Sequence, residues 1–197
     1  ALVAAAVVAV ARRGKDQKDK KTILIFGVGY SGERLAGKLL ASGGWSVLGT
    51  SRSEDSRKRL GAALPGIRLF PNASAALAAA GAEGRPVTHV VATAAPGESG
   101  DPLLVELGDR AAEALSGVQW AGYMSTVGVY GDCSGAQVDE SRAVAPKSKR
   151  GTFRVNAEQS WAQLMGDKLW IFRLPGIYGP GRGPLQKARS GEARRIV

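Results

Sequence analysis

The chain has 197 residues, 20.5 kDa, 44% hydrophobic and 22% charged residues, the make-up of an ordinary globular domain with one core. Its single Cys133 and single His89 exclude an internal disulfide, leave no cysteine or histidine cluster for a metal, and fit a reducing compartment. The net charge of +10 lies mostly at the two ends: residues 12–21 carry six bases and two acids, and residues 182–197 five bases and one acid. The body is nearly neutral, with no basic stripe interleaved with aromatic residues of the kind that binds nucleic acid.

Residues 1–13, ALVAAAVVAVARR, place eleven apolar residues before an arginine pair. That is about half of the ~20 needed to span a bilayer, so the segment reads as the remnant of a targeting peptide or an anchor. With the basic run behind it, residues 1–20 form a linker outside the fold. The opening on Ala1 and the basic run before Val197 read as the cut ends of a longer chain.

From residue 21 onward, apolar runs alternate with helical patterns. Strands are predicted at 22–26, 45–50, 67–70, 88–93, 120–126 and 169–174, and helices at 31–42, 53–62, 73–80, 102–116 and 152–166. Most of the strands are continuous apolar runs without in/out alternation, as strands covered on both faces of a parallel sheet require. In the helix at 102–116, Leu103, Leu104, Leu107, Ala111 and Leu115 recur at three- and four-residue steps and make one apolar stripe. Strand and helix taking turns predicts right-handed βαβ units over residues 21–197: an α/β, doubly wound parallel sheet, the Rossmann fold.

Between the first predicted strand and helix stands Gly27-Val28-Gly29-Tyr30-Ser31-Gly32, a G-x-G-x-x-G loop. Gly27 permits the tight turn, Gly29 lets backbone approach a pyrophosphate, and Gly32 lets the helix pack close to the strand. The helix N-terminus, at Tyr30 and Ser31, offers N–H groups to the anion. The loop alone also serves ordinary turns; strand, helix and second strand in sequence make it a dinucleotide site. NAD sites carry an acid at the end of the second strand for the ribose 2′-hydroxyl, whereas here that strand ends Thr50-Ser51-Arg52-Ser53. Arg52, helped by the neighbouring hydroxyls and by Arg57 or Lys58 a turn away, suits the 2′-phosphate of NADP. The alternative is that Glu54 or Asp55 binds a ribose and Arg52 is a surface residue.

Two later blocks, YMSTVGVYG (123–131) and FRLPGIYGPGR (172–182), complete a resemblance. With the glycine loop, they make the chain resemble the extended or atypical short-chain dehydrogenase/reductase superfamily, in particular the NAD-dependent epimerase/dehydratase-like proteins that act on nucleotide sugars. The resemblance runs from about Lys21 to the end. It implies a catalytic hydroxyl at Thr126, with Ser125 beside it, and a cofactor-ribose loop at Ala94, Ala95 and Pro96. It also implies a nicotinamide and substrate wall built from Arg173, Pro175, Tyr178, Gly179 and Pro180 and continuing to Arg182. The substrate part of such proteins lies mostly after the sixth strand, so this chain is expected to lack most of it. A small molecule, for example a nucleotide sugar, is the implied partner of a soluble protein in the cytosol or an organelle such as the plastid.

The family's chemistry needs a tyrosine and a lysine four residues apart, the lysine four residues before a glutamate; the lysine lowers the phenol's pKa so that tyrosinate can accept a proton. With Glu158 as anchor, those places hold Arg154 and Arg150. Arginine is no general base at neutral pH, although a guanidinium pair can hold an anion. Tyr130, four residues beyond Thr126, is either a replacement phenol or structural. Thr126 itself can be a cap and Tyr178 a turn residue. His89 heads the fourth strand, away from the cofactor end, and Cys133 has no basic neighbour to activate it. The sequence thus leaves two readings: an enzyme with an altered proton relay, or a cofactor-binding sensor, assembly factor or scaffold without turnover.

Overall fold

The structure, a computed structural model, describes residues 21–191; the apolar N-terminal segment and the last residues of the C-terminal basic run lie outside them. Six strands form one all-parallel sheet: β1 (Lys21–Phe26), β2 (Trp45–Thr50), β3 (Arg68–Phe70), β4 (His89–Ala92), β5 (Trp120–Thr126) and β6 (Leu169–Leu174). Their spatial order is β3-β2-β1-β4-β5-β6, so the order reverses between β1 and β4. In doubly wound sheets that reversal opens a crevice at the carboxyl ends of the strands, where ligands bind.

The helices are α1 (Tyr30–Ser42), α2 (Glu54–Ala63), α3 (Ala73–Ala82), α4 (Pro102–Leu107), α5 (Ala111–Ala114), α6 (Lys149–Met165) and α7 (Pro184–Arg189). Alternate residues of each strand enter two different cores. Ile23, Ile25, Val47 and Val91 pack with Leu35, Leu39 and Leu60 of α1 and α2. Leu24, Leu48, Val90 and Tyr123 pack on the other face with α3, α4 and α6, around Trp161. The period-two alternation within an all-apolar strand is what fills both layers. Among the described residues no helix is long and apolar enough to cross a membrane.

Three expectations are corrected. The helix predicted at 102–116 is broken: α4 stops at Leu107, Gly108 takes φ +54, a 3₁₀ turn follows, and α5 is short. Leu103, Leu107 and Leu115 nevertheless stay buried, so the apolar stripe survives the break and hid it. The last long helix starts at Lys149, not 152, because Ser148 caps it by accepting a hydrogen bond from the Gly151 N–H at 3.1 Å. β6 is only partly covered, with Trp170 50% exposed. It is an edge strand, and on its Trp170 face Phe172 and Leu174 are only partly buried, packed beside Trp120.

His89 heads β4, as expected, and is buried against Trp45, whose ring meets it edge-on at 5.0 Å, and Trp120. Burial, with the nearby Lys21 charge, lowers its pKa to about 4. The folded state therefore holds His89 neutral where the unfolded chain, with a pKa near 6.5, is protonated. The stability this contributes is complete above pH 6.5 and is lost as pH falls toward 4, by at most about 3 kcal/mol. His89→Leu is expected to flatten that part of the pH dependence, measured as the urea midpoint between pH 7 and 4.

Candidate dinucleotide site

The glycine loop sits at the sheet's reversal point and is gripped from both neighbouring strands. The Gly27 N–H donates to Thr50 Oγ1 at 2.9 Å, and the Val28 N–H to the Thr50 carbonyl at 2.8 Å. From the other side, the Thr93 hydroxyl donates to the carbonyls of Phe26 and Gly27, and the Thr93 N–H to Phe26 O. Thr50 is buried at the end of β2 and Thr93 follows β4 directly. The sequence reading named Thr50 but missed Thr93.

Each glycine has a separate reason. Gly27 has φ +87, and a Cβ there would meet Ala94 at 3.0 Å. A Cβ on Gly32 would lie 3.1 Å from Ile25 and 3.3 Å from the Gly27 carbonyl, so this glycine sets the close packing of α1 on β1. Gly29, the N-cap of α1, is different: its Cβ direction opens into space, the nearest protein atom being 4.0 Å away, and no side chain caps the helix. This is open room beside uncapped backbone N–H groups, which is what a pyrophosphate requires. Ala94, Ala95 and Pro96 leave β4 beside this loop, as their Ala94–Gly27 contact shows.

At the end of β2, Ser51 donates its N–H to Phe70 O, and Ser53 caps α2 by accepting from the Ser56 N–H. Arg52 is exposed. Arg57 reaches back to donate to the carbonyls of Ser51 at 2.6 Å and Arg52 at 2.8 Å, fixing the turn that presents Arg52. Glu54, one of the two acids that could take a ribose, pairs with Lys58 at 2.8 Å on the surface.

No family model and no curated protein matches the sequence. Solved structures do. A conserved protein of unknown function from Silicibacter pomeroyi DSS is 41% identical, with a TM-score of 0.72 over 83% of this chain and 56% of that one. UDP-glucuronic acid 4-epimerase from Bacillus cereus, solved with NAD, is 20% identical, TM-score 0.62, over 83% of this chain and 59% of that one. dTDP-glucose 4,6-dehydratase from Bacillus anthracis, also solved with NAD, is 18% identical, TM-score 0.64, over 87% and 62%. These likenesses show the fold, a doubly wound parallel α/β sheet that this chain shares with solved epimerase and dehydratase structures. The chain spans somewhat under two thirds of the length of these structures.

The resemblance seen in the sequence would put reacting groups at the ends of β5 and β6 and on α6. Ser125 is buried, its hydroxyl without a hydrogen-bond partner. Thr126 accepts from the Gly128 N–H at 3.2 Å and so caps the 3₁₀ turn Val127–Tyr130; its hydroxyl hydrogen stays available. Tyr130 is buried, and Arg173 Nη1 donates to its oxygen at 2.9 Å. The same Arg173 forks onto Glu158, Nη2 to Oε2 at 2.8 Å and Nε to Oε1 at 3.2 Å. The Glu158 hydrogen bonds raise the pKa of Arg173 above its already high value. Tyr130 is thus one corner of a structural triangle joining β6, α6 and the turn after β5, and the sequence did not connect these three.

The two arginines on α6 part company. Arg150 is exposed on the first turn. Arg154 is half-buried and turns toward β5, donating to the Met124 carbonyl at 2.5 Å and to the Tyr123 hydroxyl at 3.4 Å. Burial pushes the Tyr123 pKa up to about 12, with Arg154 opposing, so this phenol is neutral at physiological pH. Arg154 is therefore a strut between α6 and β5, not one half of an outward-facing clamp. Tyr178 is 79% exposed in the loop after β6. Pro175 begins that loop, and Arg182 lies further along it near Tyr30. Among the described residues no cluster of His, Cys, Asp or Glu is placed to hold a metal.

Glu158→Ala is expected to lose about 3 kcal/mol, because it strands Arg173 beside a largely buried pocket, whereas Tyr130→Phe loses only about 1 kcal/mol, the worth of one hydrogen bond. Urea unfolding of the two variants checks the ranking.

Proposed function

We propose that the chain is the NADP-binding part of a short-chain-type protein in which the usual tyrosine and lysine are replaced, and that it binds the dinucleotide without turning it over through the ordinary proton relay. The observation that carries this reading is the contrast between the two halves of the site. The cradle at Gly29 is open and held on both sides, while the lysine place holds Arg154, which braces β5.

The residues that would hold the cofactor are Gly27, Gly29, Tyr30, Ser31 and Gly32 at the pyrophosphate, with Thr50, Ser51 and Arg52 toward the adenosine ribose. Ala94, Ala95 and Pro96 would line the other ribose, and Pro175 the nicotinamide side. Bound there, a nicotinamide dinucleotide supplies a hydride donor or acceptor. The absence of an acid at the end of β2, and the grip of Arg57 on the turn carrying Arg52, favour a 2′-phosphate. Glu54 is occupied by Lys58, which weakens the NAD alternative.

A second reading, an enzyme with an altered relay, is favoured by the buried, unpartnered Ser125 hydroxyl beside Thr126. The Thr126 hydroxyl can hold a carbonyl or alcohol oxygen, whereas Ser125 would have to be uncovered first, and neither is a base near neutral pH. The solved neighbours with NAD include proteins whose names give nucleotide-sugar substrates, UDP-glucuronic acid and dTDP-glucose, and a nucleotide sugar is the substrate class to test. A small-molecule partner of this kind would meet Thr126, Arg150, Tyr178 and Arg182 at the mouth of the site.

NADPH is expected to bind at least tenfold more tightly than NADH, a difference of about 1.4 kcal/mol that one charge-assisted contact can supply. Arg52→Ala should erase the preference. Fluorescence titration with both nucleotides is the measurement, and equal affinities in the unmodified chain would refute the NADP assignment. Absorbance at 340 nm with a panel of nucleotide sugars should show no turnover. Brisk turnover lost in Thr126→Val would establish the second reading instead.

A further inference from the structure

The loop after β6 does not stand free of the glycine loop. Gly179 and Arg182 exchange backbone hydrogen bonds, Gly179 N–H to Arg182 O at 2.8 Å and Arg182 N–H to Gly179 O at 2.9 Å, closing a tight turn with Pro180 at its tip. Two groups of α1 converge on the Pro180 carbonyl: Arg34 Nη2 donates at 2.9 Å and the Tyr30 hydroxyl at 3.3 Å. The Arg34 guanidinium carbon sits over the Tyr30 ring, 3.5 Å from its centroid, and that of Arg182 comes within 5.1 Å of the same centroid. The approach is close enough to dictate sequence. A Cβ on Gly179 would lie 2.4 Å from Tyr30 Oη, so any other residue there would force the Tyr30 hydroxyl away from the turn. Both guanidinium groups thus lie within cation–π reach of the one ring, which helps to order the two arginines.

Tyr30 and Arg34 belong to the first turn and a half of the helix whose start is the pyrophosphate cradle, and Arg182 is a cation that the docked turn delivers to that same place. The geometry points to a latch: Tyr30 and Arg34 are positioning residues that fasten the turn Gly179–Arg182 onto the N-terminal end of α1, so that Arg182 closes the pyrophosphate side of the site. The cofactor half of this inference rests on the dinucleotide reading above; the latch itself does not. The latch explains why Arg34, on the exposed side of α1, is arginine, a role the glycine motif does not require.

The two halves are separable by experiment on the full chain. Limited trypsin digestion, with fragments resolved by mass, reports how often the turn leaves α1 through cleavage after Arg182. Without nucleotide, Arg34→Ala and Tyr30→Phe should each be cut there roughly fivefold faster than the unmodified chain, the effect of losing one hydrogen bond in a locally opening segment. Gly179→Ala, which crowds the Tyr30 hydroxyl while leaving both latch side chains in place, should behave likewise. NADPH should slow this cut in the unmodified chain, and Arg34→Ala should weaken NADPH binding several-fold. Unchanged cleavage in all three variants would overturn the latch whether or not NADPH binds. Faster cleavage with undiminished NADPH affinity in Arg34→Ala would overturn its coupling to the cofactor. Faster cleavage in a chain that does not bind NADPH at all would uphold the latch while sinking the dinucleotide reading and, with it, the coupling.

Discussion

Everything at the site hangs on two threonine hydroxyls that hold one glycine. Thr50 accepts from the Gly27 N–H, and Thr93 donates to the Gly27 carbonyl, so the peptide groups on either side of this residue are tied to β2 and β4 respectively. With Gly27 fixed at φ +87, the chain turns sharply enough for α1 to start directly above β1. Gly32 then settles against Ile25, and Gly29 is left facing open space. A loop held in this way needs no ligand to set its shape. Preorganisation of that kind lowers the ordering cost of binding.

The polar groups on the other side of the crevice are arranged differently. Glu158, Arg173 and Tyr130 saturate one another, and Arg154 is drawn onto the Met124 carbonyl. Buried charges require such partners, but groups satisfied by one another are poorly placed to exchange protons with a substrate. A general base must have both a suitable pKa and reach to the proton it removes. Tyr123 fails on the first count, its pKa raised to about 12 by burial, and the Tyr130 oxygen accepts from Arg173. Of the two hydroxyls at the end of β5, Ser125 is sealed inside the protein and Thr126 is only partly buried.

Much of the fold was legible because its signals are local. Continuous apolar runs, helical stripes and a glycine motif each occupy a few consecutive residues, and all six strands match their predicted ranges to within one residue at either end. What escaped was of two kinds. Contacts between residues far apart in sequence carry no local mark: Thr93 to Gly27, Arg173 to Tyr130 and Arg34 to Pro180 join positions 66, 43 and 146 residues apart. Elsewhere a stronger pattern masked a weaker one. The leucine stripe of 102–116 hid the break at Gly108, although Gly-Asp is a poor helix pair. The basic run 147–150 hid the serine cap that starts α6 at Lys149. The start of α4 at Pro102 matches its predicted place, and Asp101 caps it, its Oδ1 accepting from the Leu103 and Leu104 N–H groups. The direction of Arg154 follows from packing against β5, which spacing from Glu158 does not determine.

The claim on which the account turns is that the opening at Gly29 receives a pyrophosphate. NADPH titration of Gly29→Val, beside the unmodified chain and with circular dichroism on both, tests it most directly, since the new side chain would enter empty space without disturbing the core. The account predicts binding by the unmodified chain, none measurable by the variant, and superimposable far-ultraviolet spectra. Retained NADPH affinity in a natively folded Gly29→Val chain would contradict it and leave the loop as a turn between a strand and a helix.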